Sequence, residues 1–178
     1  MGAGKTSVGR ALGQRLNWLF EDLDYRIERA EGRAVAEIFR DSGEPAFRLA
    51  ERAALTQVLG ELQAGSVRVI ALGGGAFVEP RNEALLQDAN VATVFLDAPV
   101  DELWQRCSLQ MSEKGASRPL LKNIRQFRSL HQARRKHYLR AQLKIETGGR
   151  SVDTIADEIV ARLGLKKMAL RMEEGEVE

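Results

Sequence analysis

Short apolar stretches alternate along the chain with longer segments that have helical spacing. The apolar stretches contain several β-branched or aromatic residues and span 18–23, 67–72, 91–96 and 143–145. Between them, apolar residues recur three or four positions apart, as on one face of a helix, in 6–16, 25–31, 35–42, 44–62, 81–87, 100–107, 124–141 and 152–163. Strands that alternate with helices form parallel sheets. We therefore predict an α/β fold with a parallel sheet flanked by helices.

One domain accommodates this pattern. A chain of 178 residues with 44% hydrophobic content is long enough for one core and too short for two ordinary domains. We assign residues 1–165 to this domain and regard 166–178, which is rich in glutamate, as a charged tail. The polar, glycine-containing stretch 108–123 is predicted to be a loop that forms a mobile lid.

Charge and cysteine content exclude several classes of protein. A net charge of +2 gives no reason to expect binding to nucleic acid through the overall field. The single cysteine, Cys107, excludes an internal disulfide framework and a cysteine-rich zinc site. Neither a membrane-spanning apolar run nor a signal-peptide pattern is found in the sequence. We expect a cytoplasmic monomer that acts on small molecules.

A phosphate-binding motif stands at the start of the sequence. Met1-Gly2-Ala3-Gly4-Lys5-Thr6 matches the second half of G-x-x-x-x-G-K-[ST] and leads directly into the first predicted helix. Glycines let backbone N–H groups turn toward phosphate, and the helix N-terminus adds its dipole. Lys5 would then pair with the β- and γ-phosphates of ATP, and Thr6 would bind Mg²⁺. A flexible glycine-rich terminus is the alternative interpretation.

The first half of this motif is missing from the sequence. Its first glycine would precede Met1, and so would the apolar strand that normally leads into such a loop. Three explanations stay open: a start codon placed too late, a trimmed chain or an impaired natural product. Because that strand is expected to be central in the sheet, we predict a gap between the strands 67–72 and 91–96.

Two carboxylates follow the first predicted strand. Asp22 and Asp24 are two positions apart, so their side chains point the same way in an extended segment. Such a pair beside a phosphate loop can divide its roles, with one carboxylate near a metal and the other near a substrate hydroxyl. A solvated acidic turn is the alternative.

Arginines and a glycine run suit an anionic substrate. Arg48 can bind a carboxylate with two hydrogen bonds, although Glu51, three positions later, also fits a surface ion pair. Gly73, Gly74 and Gly75 follow the second strand, at the edge where open α/β sheets bind ligands. Arg118, in the polar loop, is either a solubilising residue or the lid cation of a phosphoryl-transfer enzyme.

Taken in order, these motifs resemble shikimate kinases. The resemblance spans roughly 1–163 and rests on Gly-Ala-Gly-Lys-Thr, Asp-Leu-Asp, Gly-Glu-x-x-Phe-Arg-x-x-Glu, Gly-Gly-Gly-Ala, Arg-Pro-Leu-Leu and the pair Arg134 and Tyr138, one helical turn apart. It implies a P-loop kinase fold with a lid and a usual central first strand that this chain lacks. It also implies ATP- and Mg²⁺-dependent phosphorylation of the 3-hydroxyl of shikimate, on the route to chorismate and the aromatic amino acids.

The resemblance also implies a role for each matching residue. Lys5, Asp24 and Arg118 would be catalytic, and Thr6 and Asp22 would hold Mg²⁺. The substrate would be bound by Asp24, Arg48, Gly73, Gly74, Gly75 and Arg134. ATP would contact Gly2, Ala3, Gly4, Lys5, Thr6, Ser7 and Arg118, with Arg106 and Arg150 near the adenine.

Two rival functions remain at this stage. A different small-molecule kinase, such as a gluconate kinase, shares the phosphate loop and the sheet, but Arg48 together with Arg134 favours shikimate. The other rival is a shikimate-kinase-like ligand-sensing domain of a transcription regulator. The presence of Lys5, Asp24 and Arg118 favours an enzyme over a sensor.

Overall fold

The chain folds into short parallel strands surrounded by helices. The computed structural model describes residues 2–114 and 123–167, and this part contains four strands and seven α-helices. The strands are β1 (Leu19–Asp22), β2 (Arg68–Ala71), β3 (Val94–Asp97) and β4 (Leu143–Glu146). The helices are α1 (Lys5–Leu16), α2 (Leu23–Glu31), α3 (Val35–Gln63), α4 (Pro80–Asp88), α5 (Val100–Lys114), α6 (Ile124–Tyr138) and α7 (Val152–Leu163). A 3₁₀ turn, Ala76–Val78, follows the glycine run. Within the described ranges, no helix has the length and apolarity needed to cross a bilayer.

The predicted α/β class is confirmed, because both strand pairs are parallel and helices flank them. The two helices predicted at 35–42 and 44–62 are the two halves of α3, which is broken at Gly43. This residue has φ 78° and ψ 174°, and Pro45 follows it inside the helix. Glycine is the residue that adopts such a conformation without strain.

The predicted loop at 108–123 is wrong in its first part. Helix α5 continues through Lys114 instead of ending at Cys107. The segment from Ser108 to Lys114 is polar but contains neither glycine nor proline, so nothing in it breaks a helix. The rest of the predicted lid, residues 115–122, lies outside the described residues. The third strand is also shorter than predicted, since it begins at Val94.

The predicted gap in the sheet is present. Among the described residues, β2 pairs only with β1, and β3 pairs only with β4, so two separate two-stranded sheets form. A cavity of about 560 Å³ lies between them and is lined largely by apolar side chains, among them Val69, Ile70, Phe95 and Leu96. We call this cavity the inter-sheet cavity. Strand edges that face a cavity leave backbone N–H and C=O groups without ladder partners.

Two hydrophobic cores flank the inter-sheet cavity. One joins α1 and α5–α7 to the β3–β4 sheet and includes Leu12, Phe127 and Ile145. The other lies among α2, α3 and α4 and includes Leu23 and Leu55. Because β1 and β2 are parallel, their carboxyl ends lie at the same edge of their sheet. The residues that follow β1 and β2 therefore open toward the start of α1.

Candidate functional site

The segment before α1 has the backbone of a phosphate-binding loop. Gly2 and Gly4 have φ angles of 66° and 82°, in the left-handed region. A Cβ on Gly2 would lie 2.6 Å from the carbonyl oxygen of Leu103, so a side chain does not fit there. Gly4 is the N-cap of α1, and no side chain caps this helix end. The N–H groups in the first turn of a helix are not used by its own hydrogen-bond ladder, and the helix dipole favours an anion at this end.

Thr6 and Asp22 form a hydrogen-bonded pair beside this loop. The Thr6 hydroxyl donates to Oδ2 of Asp22 at 3.1 Å. The other carboxylate oxygen, Oδ1, accepts from the backbone N–H of Asp24 at 3.2 Å, so Asp22 caps α2. These two contacts fix the carboxylate between α1 and α2. The prediction of one extended segment for Asp22 and Asp24 is therefore wrong, because β1 ends at Asp22 and Asp24 lies in the first turn of α2.

The chemistry of this pair fits Mg²⁺. A hydroxyl and a carboxylate are hard oxygen donors, and Mg²⁺ usually takes one or two protein ligands together with waters and substrate phosphates. In the described part of the chain, no three His, Cys, Asp or Glu side chains come together as a metal site. A metal ion here would therefore share its coordination with a phosphate bound at the start of α1.

Glu51 is a buried charge, although its position in the sequence indicates only that it is a helix neighbour of Arg48. Its side chain is 1% exposed, and its Oε2 lies 2.8 Å from NH1 of Arg48. Burial raises the pKa of Glu51, the Arg48 guanidinium opposes this shift, and the negative charge of Asp24 adds to it. A Glu three residues after an Arg on a helix is ordinarily an exposed pair, so only tertiary packing reveals this burial.

The remaining face of the Arg48 guanidinium is bound by Glu44. Both Nε and NH2 donate to Oε1 of Glu44, at 3.2 and 2.8 Å. Glu44 is 57% exposed, whereas the Arg48 side chain is 18% exposed. Arg48 therefore has one buried carboxylate partner and one that solvent reaches freely.

The glycine run packs directly on these charged groups. A Cβ on Gly73 would lie 2.7 Å from Oδ1 of Asp24 and 3.1 Å from Oε1 of Glu51. A Cβ on Gly75 would lie 2.5 Å from both terminal nitrogens of Arg48. Any side chain at these positions would push the carboxylates and the guanidinium away. The glycines thus allow the backbone after β2 to approach Asp24 and Arg48 closely.

Helix α6 closes the other side of this group. The Tyr138 hydroxyl donates to the carbonyl oxygen of Gly74. Burial raises the pKa of both Glu51 and Tyr138, and the positive charge of Arg134, one turn before Tyr138, opposes both shifts. The structure therefore brings Asp24, Arg48, the glycine run and Arg134 to one place, which we call the arginine–glycine site.

Arg106 and Arg150 lie together elsewhere, around the turn after β4. Arg106 forms an ion pair with Glu102, and its NH2 donates to the carbonyl oxygen of Thr147 at 3.4 Å. Arg150 donates to the carbonyl oxygen of Glu146 at 2.8 Å. The positions proposed for ATP phosphates, Ala3, Lys5 and Ser7, occupy the loop and first turn of α1. Arg118 lies outside the described residues.

Comparison with protein families gives a match over nearly the whole chain. The family model described as shikimate kinase matches residues 1–164. A shikimate kinase from Cereibacter sphaeroides is 41% identical over 177 residues, which cover 98% of this chain and 84% of that protein. One from Persephonella marina is 34% identical and covers 92% of this chain and 94% of that protein.

Solved structures give the same result. A shikimate kinase from Acinetobacter baumannii, in complex with shikimate, superposes with a TM-score of 0.77 at 34% identity and covers 92% of this chain and 88% of that one. A shikimate kinase from Bacteroides thetaiotaomicron gives a TM-score of 0.75 at 29% identity, with 93% and 94% covered.

Proposed function

The chain belongs to the shikimate kinase family, and from this premise we propose which of its residues carry out the phosphorylation of shikimate by ATP. The activity is that of a small-molecule kinase with ATP as co-substrate. The observation that supports the assignment of residues is the arginine–glycine site, where Asp24 and Arg48 both lie against the glycine run. We further propose that the enzyme is a cytoplasmic monomer and that residues 1–165 form its one domain, with 166–178 as a tail.

The phosphate groups of ATP bind at the start of α1. Gly2, Ala3 and Gly4 present backbone N–H groups, and Lys5, Thr6 and Ser7 follow in the first turn. Lys5 neutralises charge on the transferring phosphoryl group. Thr6 and Asp22 hold Mg²⁺, which when bound offsets charge on the β- and γ-phosphates. Arg106 and Arg150 contact the nucleoside side, and Arg118 is the lid cation.

Shikimate binds at the arginine–glycine site. Its carboxylate is held by Arg48 and Arg134, and its ring lies along Gly73, Gly74 and Gly75. The carboxylate replaces the exposed Glu44 on the Nε–NH2 face of Arg48, while the buried Glu51 keeps NH1 in place. This exchange of one carboxylate for another retains the guanidinium geometry that is already present in the structure.

Asp24 acts on the attacking hydroxyl. It accepts the proton of the 3-hydroxyl as that oxygen bonds to the γ-phosphorus of ATP, and the bond from this phosphorus to the β–γ bridging oxygen breaks. The products are shikimate 3-phosphate and ADP, and the proton leaves Asp24 to solvent. Glu51 is a charged neighbour of this carboxylate, since the negative charge of Asp24 contributes to the raised pKa of Glu51.

The substitution Arg48→Lys tests this function at its substrate site. The lysine side chain would keep a positive charge beside Glu51 but would lose the fork that binds a carboxylate with two hydrogen bonds. Because charge-assisted hydrogen bonds contribute roughly 1.5–3 kcal/mol, we expect the KM for shikimate to rise about tenfold or more. The value of kcat should stay near wild type, since the carboxylate is bound equally in ground and transition states. Steady-state kinetics by coupled ADP release measures both quantities.

The matched control is Arg40→Lys, since the Arg40 side chain is 68% exposed and pairs with its neighbour Asp41. Arg48→Ala is a poorer test because it leaves Glu51 buried without its guanidinium, a loss that commonly costs about 3–5 kcal/mol of stability. A change in the KM for ATP alone would contradict the placement of Arg48. Absence of shikimate-dependent ADP release by the wild-type chain would contradict the function itself.

A further inference from the structure

Tyr138 joins the helix that carries Arg134 to the glycine run. Its ring packs on Phe95 of β3 with centroids 5.3 Å apart, and its hydroxyl donates to the carbonyl oxygen of Gly74. Burial raises the pKa of the Tyr138 phenol above its usual value of 10.0, even though Arg134 opposes the shift. The phenol is therefore protonated at neutral pH and keeps this hydrogen bond as a donor.

This hydrogen bond fixes the orientation of one peptide plane. In a trans peptide, the C=O of Gly74 and the N–H of Gly75 point in opposite directions. Holding the carbonyl toward α6 directs the Gly75 N–H away from α6. Gly75 itself lies against the Arg48 guanidinium, where even a Cβ would come within 2.5 Å. The short glycine backbone is thus held between Tyr138 on one side and Arg48 on the other.

The position of Arg134 depends on the same helix. Arg134 and Tyr138 are four residues apart and lie on one face of α6. Arg135, between them, is anchored at 2.7 Å to Asp97, the last residue of β3. Arg134, the residue before Arg135, lies close to Glu51. Burial raises the pKa of Glu51, and the positive charge of Arg134 opposes this rise. The contact of Tyr138 with Gly74 therefore links the glycine run to the helix that carries Arg134.

We propose that Tyr138 is a positioning residue for shikimate, which sets the spacing between Arg134 and the glycine run without contacting the substrate's reacting atoms. This proposal rests on the proposed function and deepens it. Within the loop, the carbonyl oxygens of Gly73 and Gly75 accept from the backbone N–H groups of Ala76 and Val78, whereas the Gly74 carbonyl oxygen accepts from a side chain outside the loop. The Tyr138 hydroxyl supplies that contact across 64 residues of sequence.

The test is Tyr138→Phe, which removes one hydroxyl and keeps the ring on Phe95. The matched control is Tyr25→Phe, the same change at the other tyrosine of the chain, whose residue is 62% exposed. Since a buried hydrogen bond contributes about 1 kcal/mol, we expect the KM for shikimate to rise about fivefold in Tyr138→Phe. The KM for ATP and kcat should stay within about twofold of wild type, because the interaction acts on substrate binding.

Hydrogen exchange provides a readout that does not need activity. In the ligand-free protein, amides of residues 72–78 should exchange faster in Tyr138→Phe, with no change in the segment that carries α1. Unchanged exchange in residues 72–78 and in the segment that carries α1 would overturn the proposal. A fall in kcat with both KM values unaltered would also overturn it, because that is the result expected from general destabilisation. If the wild-type chain releases no ADP with shikimate, the proposed function fails, and hydrogen exchange alone decides whether Tyr138 holds the loop.

Discussion

Asp24→Asn is expected to lower kcat for shikimate by about two to four orders of magnitude, the usual contribution of a general base. The change removes the group that takes the proton of the attacking hydroxyl but keeps the shape of the side chain. A Cβ on Gly73 would lie 2.7 Å from Asp24 Oδ1, and the charges of Asp24 and Glu51 are close enough to interact. Because the substrate hydroxyl can still hydrogen-bond to an amide, the KM for shikimate should change much less than kcat. Steady-state kinetics with saturating ATP measures both.

Asp41→Asn is the control for this substitution. It makes the same chemical change at an exposed carboxylate, whose pKa is lowered mainly by the hydrogen bond from Arg40. We expect this variant to behave like wild type in kcat and in both KM values. If Asp24→Asn retained near-normal kcat, Asp24 would not be the proton acceptor, and the chemistry proposed for the arginine–glycine site would have to be assigned to another group.

Filling the inter-sheet cavity is expected to have the largest effect on stability. We expect a chain lengthened at its amino end to melt well above the present chain. The added segment is five or six apolar, β-branched residues, then a glycine and one further residue, so that this glycine stands five positions before Gly4 as the motif requires. Such a strand could pair with the facing edges of both β2 and β3 and bury its side chains among Val69 and Phe95. Each buried aliphatic side chain contributes roughly 1.5–3 kcal/mol before the cost of ordering the segment is subtracted.

The expected net gain is about 5 kcal/mol, which corresponds to roughly 10–20 °C in Tm for a domain of this size. A strand in this place would also end beside Gly2 and hold the phosphate loop, so ATP should bind more tightly to the lengthened chain. The control is an extension of equal length made of Ser and Gly, which adds chain but no apolar surface. The alternative outcome is that the two lengthened chains and the original have the same melting curve and the same affinity for ATP. That result would show that no strand binds in the inter-sheet cavity.

The sequence predicted the elements whose boundaries are set locally. Apolar spacing predicted α2, although the helix begins at Leu23 and not at Tyr25, and the break at Gly43 coincides with the glycine between the two predicted helices. The gap between β2 and β3 was predicted from the phosphate motif, because such a motif ordinarily follows a central strand. Helix α5 was predicted too short because the polar stretch 108–123 was taken as one loop, although its glycine, Gly115, comes only after the helix ends at Lys114. A polar segment without glycine or proline can continue a helix.

The features that the sequence did not reveal depend on contacts between distant residues. The burial of Glu51 results from packing of α3 against the loop after β2, and the local pattern of Arg48 and Glu51 is the same as that of an exposed pair. The hydroxyl of Tyr138 finds a backbone carbonyl as its partner, and a backbone group has no signature in sequence. Gly73 and Gly75 were predicted to allow close approach to a ligand. The structure shows that they also allow close approach of Asp24, Glu51 and Arg48.

The central claim, that this chain transfers a phosphoryl group from ATP to the 3-hydroxyl of shikimate, is tested most directly by phosphorus NMR of the product. The reaction contains the chain, ATP, Mg²⁺ and shikimate, and a parallel reaction contains gluconate in place of shikimate. We predict one new phosphomonoester signal, coupled to the proton on carbon 3 of shikimate, and none with gluconate. Free phosphate and ADP without a phosphomonoester, coupling to a different ring proton, or a comparable product from gluconate would contradict the claim.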